Sequence, residues 1–369
     1  MLPFTLIQND VAARLQLELS DIMAVSNVLV TERDGQQIVF AGRLLCDAQS
    51  ALERLLPRFE RHDYTPLLRR QGDQDLLIAQ AGVVRPERAN PWINLVLLLA
   101  TIASTVLWGA LNEGADPLAD PFSIVRGIPF SLTLMSILGA HELGHYFMAR
   151  RRGVAVTLPY FIPMPLPIGG VNIGTMGAFI QFRSLVHNRR ELLDVGLAGP
   201  VAGLVVAIPL LIHGLAQSPV KPVVSSPGYF TEGNSILYLA LKYLVHGRIL
   251  PGGGLDVFIS SIAFAGWIGI LVTSLNLMPA GQLDGGHIVY ALLGDRARLV
   301  AMATLLVLAA LSFLWIGWLI WIVLIFFFGL GHPPPLDDIT ELDPKRKVIG
   351  VLAVIMFILV FTPVPFSLP

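Results

Sequence analysis

The chain has 369 residues, 54% of them hydrophobic and only 14% charged, with a net charge of −1 and a mean hydropathy of +0.68. So apolar a composition excludes an ordinary soluble domain and implies a multi-pass α-helical membrane protein. The charge balance, with no Lys/Arg run interleaved with aromatics, gives no reason to expect a nucleic-acid partner. Its single cysteine, Cys46, excludes an intramolecular disulfide and a cysteine-based zinc site.

Residues 1–90 read as a separate soluble module, because charges are frequent there and no apolar run approaches the roughly 20 residues a spanning helix needs. Val11, Leu15, Leu19 and Ile22 share one face of a helix expected over 10–23. Strands follow at 28–31 and 37–44, with a turn at Asp34-Gly35. A second helix capped by Asp47 runs to about Pro57, then strands at 64–68 and 76–84 flank a turn at Gly72-Asp73. This αββ-αββ order predicts a small α+β domain with either a regulatory or a docking role and no catalytic residue. Residues 1–19 lack both a signal-peptide pattern and the Arg/Ser-rich, acid-poor composition of a transit peptide. That points to a prokaryotic plasma membrane, with an organelle-encoded or processed chain as the alternative.

Residues 91–369 form the membrane part, with about six to seven spanning helices expected. The first covers 92–111, with Asn94 its one polar cost. The second, 126–149, carries His141-Glu142-Leu143-Gly144-His145 and ends at Arg150-Arg151-Arg152. Residues four apart share a helix face, so both imidazoles can address one cation while Glu142 reaches a water on it. H-E-x-x-H is the zinc metalloprotease signature, the carboxylate serving as general base. His145 lies about 7 Å of helix from the basic end, which sets the motif inside the membrane but near one face.

Residues 158–167 contain four prolines and are followed by Gly169, Gly170, Gly174 and Gly177, so they cannot form a spanning helix. Residues 171–182 instead predict a membrane-dipping β-hairpin turning near Gly174, or a Pro/Gly-rich interfacial loop. Spans at 192–215 and 258–278 follow, with an interfacial helix at 235–246. A double-back over 299–330 turns near Gly317, and after a polar loop at 333–347 a last short span covers 348–361. Arg85, Arg88, Arg150–Arg152, Arg183, Arg189, Arg190, Arg296, Arg298 and Lys345–Lys347 fall on one side of this topology. The positive-inside rule therefore turns the N-terminal module and the metal toward the cytoplasm.

A catalytic zinc takes three protein ligands, so a third is required. Asp284 is the candidate: Pro279 ends the preceding helix, Gly285-Gly286 permits close backbone approach, and the carboxylate has no adjacent basic partner. Its alternative is an N-cap for the following helix. Asn276 could hydrogen-bond substrate or simply bridge helices, and His187, His213, His246, His287 and His332 read as ordinary polar residues.

The paired motifs, His141-Glu142-Leu143-Gly144-His145 and Asn276-Leu277-Met278-Pro279 leading to Leu283-Asp284-Gly285-Gly286, resemble those of the site-2 protease family of intramembrane zinc metalloproteases. The likeness covers about 126–293 and carries no inserted PDZ domain, as in the subgroup with an N-terminal soluble extension. It implies one catalytic zinc on His141, His145 and Asp284, with Glu142 as general base and Gly174 and its neighbours presenting substrate. The expected activity is hydrolysis of membrane-anchored proteins within or near their spanning segments, with the bilayer and single-pass proteins as partners. A non-catalytic protein that binds membrane helices, or a metal-binding transporter or scaffold, is the alternative.

Overall fold

The apolar residues that open the chain follow a helix period and then a strand period, and the backbone changes with them. A computed structural model describes residues 10–31, 37–85, 90–165, 173–223 and 231–367. The expected turn at Asp34-Gly35, Arg88, and the 166–172 part of the proline/glycine stretch, including the start of the expected 171–182 hairpin, lie outside the described residues. The first elements are α1 (Asp10–Glu18), β1 (Met23–Thr31), β2 (Gln37–Leu44), α2 (Ala48–Glu60), β3 (Tyr64–Gln71) and β4 (Gln74–Ala81). The strands form one antiparallel sheet in the order β1-β2-β4-β3. Leu15, Phe40, Leu55, Phe59 and Leu77 fill the space between the helices and the sheet.

Helix α1 stops at Glu18, short of the expected residue 23. Leu19 and Ile22 are nonetheless fully buried, because turns such as Ile22 N–H to Leu19 C=O keep the three-residue spacing on one side. Asp47 caps α2 by accepting from the Ser50 N–H at 2.9 Å. Gly72, at φ +60°, closes the β3–β4 turn.

The membrane part contains α3 (Pro91–Asn112), α4 (Ile128–Arg151), β5 (Tyr160–Pro163), β6 (Thr175–Phe179) and α5 (Arg189–Ala216). After these come α6 (Ile236–His246), α7 (Ser261–Asn276), α8 (Asp284–Leu293), α9 (Ala297–Leu311), α10 (Trp318–Phe328) and α11 (Pro344–Val360). Among the described residues three helices are long and apolar enough to cross a membrane: Pro91–Asn112, Pro121–Arg151 and Arg189–Ala216. The expected six to seven spans are not reached by length. At 16 residues α7 measures about 24 Å against a hydrocarbon core of about 30 Å, and a turn over 312–317 divides α9 from α10.

The hairpin differs from its expectation in one strand and in its turn. β6 pairs antiparallel with β5, which lies inside the proline-rich run, so the connection covers 164–174 and Gly174 leads into β6. A strand tolerates these prolines because Pro159 precedes β5 and Pro163 ends it, leaving Tyr160, Phe161 and Ile162 with amides to pair. The Asn94 amide donates to the carbonyls of Leu158 and Pro159 at 2.9 and 3.0 Å. This buried amide near the start of α3 therefore satisfies backbone acceptors that no helix could pair. Pairing continues past the strands, with Thr157 N–H donating to Gln181 C=O at 3.0 Å and Arg183 N–H to Ala155 C=O at 2.7 Å.

The loop between α10 and α11 joins the two parts. Leu336 is buried in the core of the N-terminal domain, and its carbonyl accepts from the Leu68 N–H of β3 at 2.7 Å. On the other side Leu336 N–H donates to Val186 C=O at 3.0 Å, and Asp337 N–H to His187 C=O at 2.7 Å. Leu336→Asp should undock this strap, since burying a leucine contributes about 1.5–3 kcal/mol and a carboxylate in its place lacks a partner. Hydrogen exchange of the Leu68 amide is then expected to accelerate on the order of tenfold or more; an unchanged rate would mean the strap does not hold the domain.

Candidate metal centre

The helical spacing of the α4 motif brings two ring nitrogens together well inside the protein. His141 and His145 are almost fully enclosed, with their Nε2 atoms 3.2 Å apart. Asp284, more than a hundred residues later, opens α8 and sets Oδ2 3.2 Å from His141 Nε2 and 3.3 Å from His145 Nε2. Leu283, not Asp284, occupies the N-cap position of α8, so the carboxylate is not used as a cap.

The protonation pattern says what this triangle is for. Val195 C=O lies 2.8 Å from His145 Nδ1, and a carbonyl only accepts, so Nδ1 carries a proton and the neutral ring presents Nε2 as a lone pair. Asp284 Oδ2 has no hydrogen-bond donor. Acceptors this close repel unless a proton or a metal cation lies between them. A tetrahedral zinc with bonds of about 2.0–2.1 Å separates its ligand atoms by about 3.3–3.4 Å, so the three edges fit that ion, and two imidazoles plus a carboxylate leave its fourth position open.

Small residues on α5 make the triangle sterically possible. A Cβ on Gly199 would fall 2.0 Å from His145 Nε2, and one on Gly203 would lie 3.3 Å from the His141 ring. On α4 itself, a Cβ on Gly144 would meet Ala198 O at 2.5 Å. At the entrance to α8, Gly285 packs so tightly that a Cβ would lie 1.9 Å from Leu277 O, which lets Asp284 turn back toward α4.

A cavity of about 410 Å³ opens beside the triangle, lined by Glu142, Phe179, Gln181, Asn276 and His287 among others. Glu142 is buried next to both imidazoles, and Asn276 Nδ2 lies 3.3 Å from His141 Nε2. Gly174 is not among the lining residues. It packs on α3, where Ser104 Oγ donates to its carbonyl at 2.5 Å, and the segment facing the cavity is 178–182. His287, set aside on sequence as ordinary, does line the cavity; its position three residues after Asp284, one helical turn on, was the available signal. The Gly196, Gly199, Gly203 spacing was likewise readable as a helix face but not assignable to this site. His187 pairs with Glu191 and His213 with Gln217, away from the triangle.

The model of peptidase family M50 matches residues 129–317, which is half of the chain and includes every residue of the triangle. This chain belongs to peptidase family M50, the site-2 protease family of zinc metallopeptidases. A probable zinc metalloprotease EGY2, chloroplastic, of Arabidopsis thaliana is 28% identical over 98% of this chain and 67% of its own length. The EGY2 of Oryza sativa subsp. indica is 34% identical over 65% of this chain and 43% of its own, and the Arabidopsis EGY1 28% over 77% and 56%. The chain thus spans 43% to 67% of the length of these curated relatives. No solved structure matches it. These relatives are named chloroplastic, so they lend no support to a prokaryotic plasma membrane, and membrane association rests on the long apolar helices.

A family M50 metal centre packed this closely should not admit one extra carbon. Gly199→Ala is expected to displace the His145 ring and cut zinc content to well below half of wild type, read by metal analysis of the purified protein. Full zinc occupancy in that variant would show that His145 is not held where α5 places it.

Proposed function

We propose that the chain is an intramembrane zinc endopeptidase that hydrolyses membrane-anchored proteins within or near their spanning segments. The observation carrying this reading is the triangle of His141, His145 and Asp284 with Glu142 beside it in one cavity. Bound zinc supplies Lewis acidity, bringing the pKa of a water toward neutrality and polarising a peptide carbonyl. Glu142, adjacent in sequence to a ligand, accepts the proton of the attacking water and returns it to the leaving amine. Asn276 places an amide where it donates to the carbonyl oxygen as negative charge develops there.

Substrate presentation follows from the strand beside the cavity. A helix hides its own carbonyls, so the scissile segment must be extended before attack. Residues 175–183 are paired along one edge by 155–163, and 178–182 face the cavity. An extended peptide that adds to the other edge gains main-chain hydrogen bonds and runs past Glu142. This segment lies within the 171–182 stretch expected to present substrate, whereas Gly174 itself packs on α3. The shorter helices α7, α9–α10 and α11 complete the bundle across the bilayer, and the basic residues at the end of α4 turn the cavity and the N-terminal domain toward the cytoplasm. That domain docks through Leu336 and screens or regulates what is cut.

Glu142→Gln tests the assignment. The ligands are untouched, so zinc content should match wild type while cleavage of a single-pass substrate falls about 100- to 10,000-fold. Equal turnover by the two proteins would remove the peptidase assignment.

A further inference from the structure

Two histidines outside the triangle form a short relay from the loop that carries Leu336 into the catalytic cavity. His287 Nδ1 lies 2.5 Å from His332 Nε2, and His332 Nδ1 lies 2.6 Å from Pro333 O. A carbonyl only accepts, so His332 carries its proton on Nδ1. Burial lowers the His332 pKa from its ordinary value, favouring the neutral ring, so its Nε2 is an acceptor. His287 must then donate from Nδ1, and a neutral His287 keeps Nε2 as a bare lone pair.

The surroundings hold both rings in this arrangement. His332 stacks on Tyr290, with centroids 4.7 Å apart and planes at 27°, and Tyr290 Oη donates to Asp338 at 3.3 Å. Asp338 also accepts from Arg189 Nε at 2.7 Å, at the start of α5. The His287 ring stands edge to face with Phe182, centroids 6.1 Å apart, at the end of the segment that faces the cavity. His332 is four residues from Leu336, the side chain buried in the N-terminal domain. The relay therefore begins on the strap that the domain grips.

An extended peptide seated in this cavity has two polar edges. If 178–182 pair with one edge, the amides of the other edge need acceptors from the rest of the wall, and an unpaired buried N–H is costly. We propose that His287 Nε2 accepts a main-chain N–H of the extended substrate segment, and that His332 is the positioning residue that holds His287 in the accepting tautomer. This rests on the endopeptidase reading and extends it: His287 contacts substrate, whereas His332 acts only through His287. Docking of the N-terminal domain on the strap thereby bears on how well substrate is held.

The test uses the full chain loaded with zinc and a single-pass substrate, comparing wild type with His287→Phe, His332→Leu and His332→Gln. Glutamine presents an oxygen near the position of His332 Nε2, so it restores the acceptor that leucine removes. His287→Phe and His332→Leu are expected to raise KM roughly two- to tenfold, the worth of one neutral hydrogen bond, with zinc content and thermal midpoint near wild type. His332→Gln should recover most of the loss. In ¹⁵N-histidine spectra, the signal that disappears in His287→Phe should show a protonated Nδ1 and bare Nε2 in wild type, a signature that His332→Leu abolishes. An unchanged KM in His287→Phe, or glutamine as damaging as leucine at 332, would overturn the proposal while leaving the endopeptidase reading standing. A wild type that binds zinc yet cuts no membrane-anchored substrate would overturn both, and the ¹⁵N signature would then report the relay alone.

Discussion

Three acceptor atoms held 3.2–3.3 Å apart are the constraint on which the rest of this structure depends. Left to themselves, two imidazole lone pairs and a carboxylate oxygen repel, and burial away from water strengthens that repulsion. One cation of zinc-like bond length between the three atoms would resolve it. Every nearby element serves the same end. Val195 C=O fixes the His145 tautomer, glycines on α4 and α5 bring two helices within backbone contact, and Gly285 lets α8 begin hard against the end of α7. Each of these glycines would cost helix stability in isolation, on the order of 1 kcal/mol relative to alanine. Their value lies in the distances they allow.

The same economy of polar groups governs the protein around the centre. A non-helical backbone at membrane depth survives only if its amides and carbonyls are paired. In the described part of the proline-rich run after α4, β5 pairs with β6, and Asn94 of α3 covers the carbonyls of Leu158 and Pro159. One edge of the resulting ribbon is thereby closed and the other is left beside the cavity. In the proposed function the substrate is held extended, and adding it to an unfinished sheet supplies the main-chain hydrogen bonds that hold it.

Much of this was legible in the chain itself, for physical reasons that also explain what was not. His141 and His145 are readable because a helix converts a four-residue spacing into one face, and Asp284 because Pro279 and Gly285-Gly286 announce a sharp turn ending in an unpartnered acid. The order of elements in the first 81 residues follows from alternating helix and strand periods. The partner of β6 was not readable: strand pairing is a long-range choice, and a run with four prolines suppresses every local strand signal. Gly174 drew attention by its neighbours and turned out to serve a close contact with α3. The strap was hidden for a different reason. Residues 332–341 have the composition of a polar loop, and nothing local marks Leu336 as a core residue of a distant domain or His332 as the partner of His287.

The claim at the centre of this account is that His141, His145 and Asp284 together hold one zinc ion, and X-ray absorption at the zinc edge of the purified, membrane-reconstituted chain tests it most directly. The account predicts one zinc per chain, two imidazole nitrogens and carboxylate or water oxygens at about 2.0–2.1 Å, and no sulfur scatterer. It further predicts loss of one oxygen or of the metal itself in Asp284→Ala. A sulfur neighbour at about 2.3 Å, or an unaltered spectrum at full occupancy in Asp284→Ala, would contradict it.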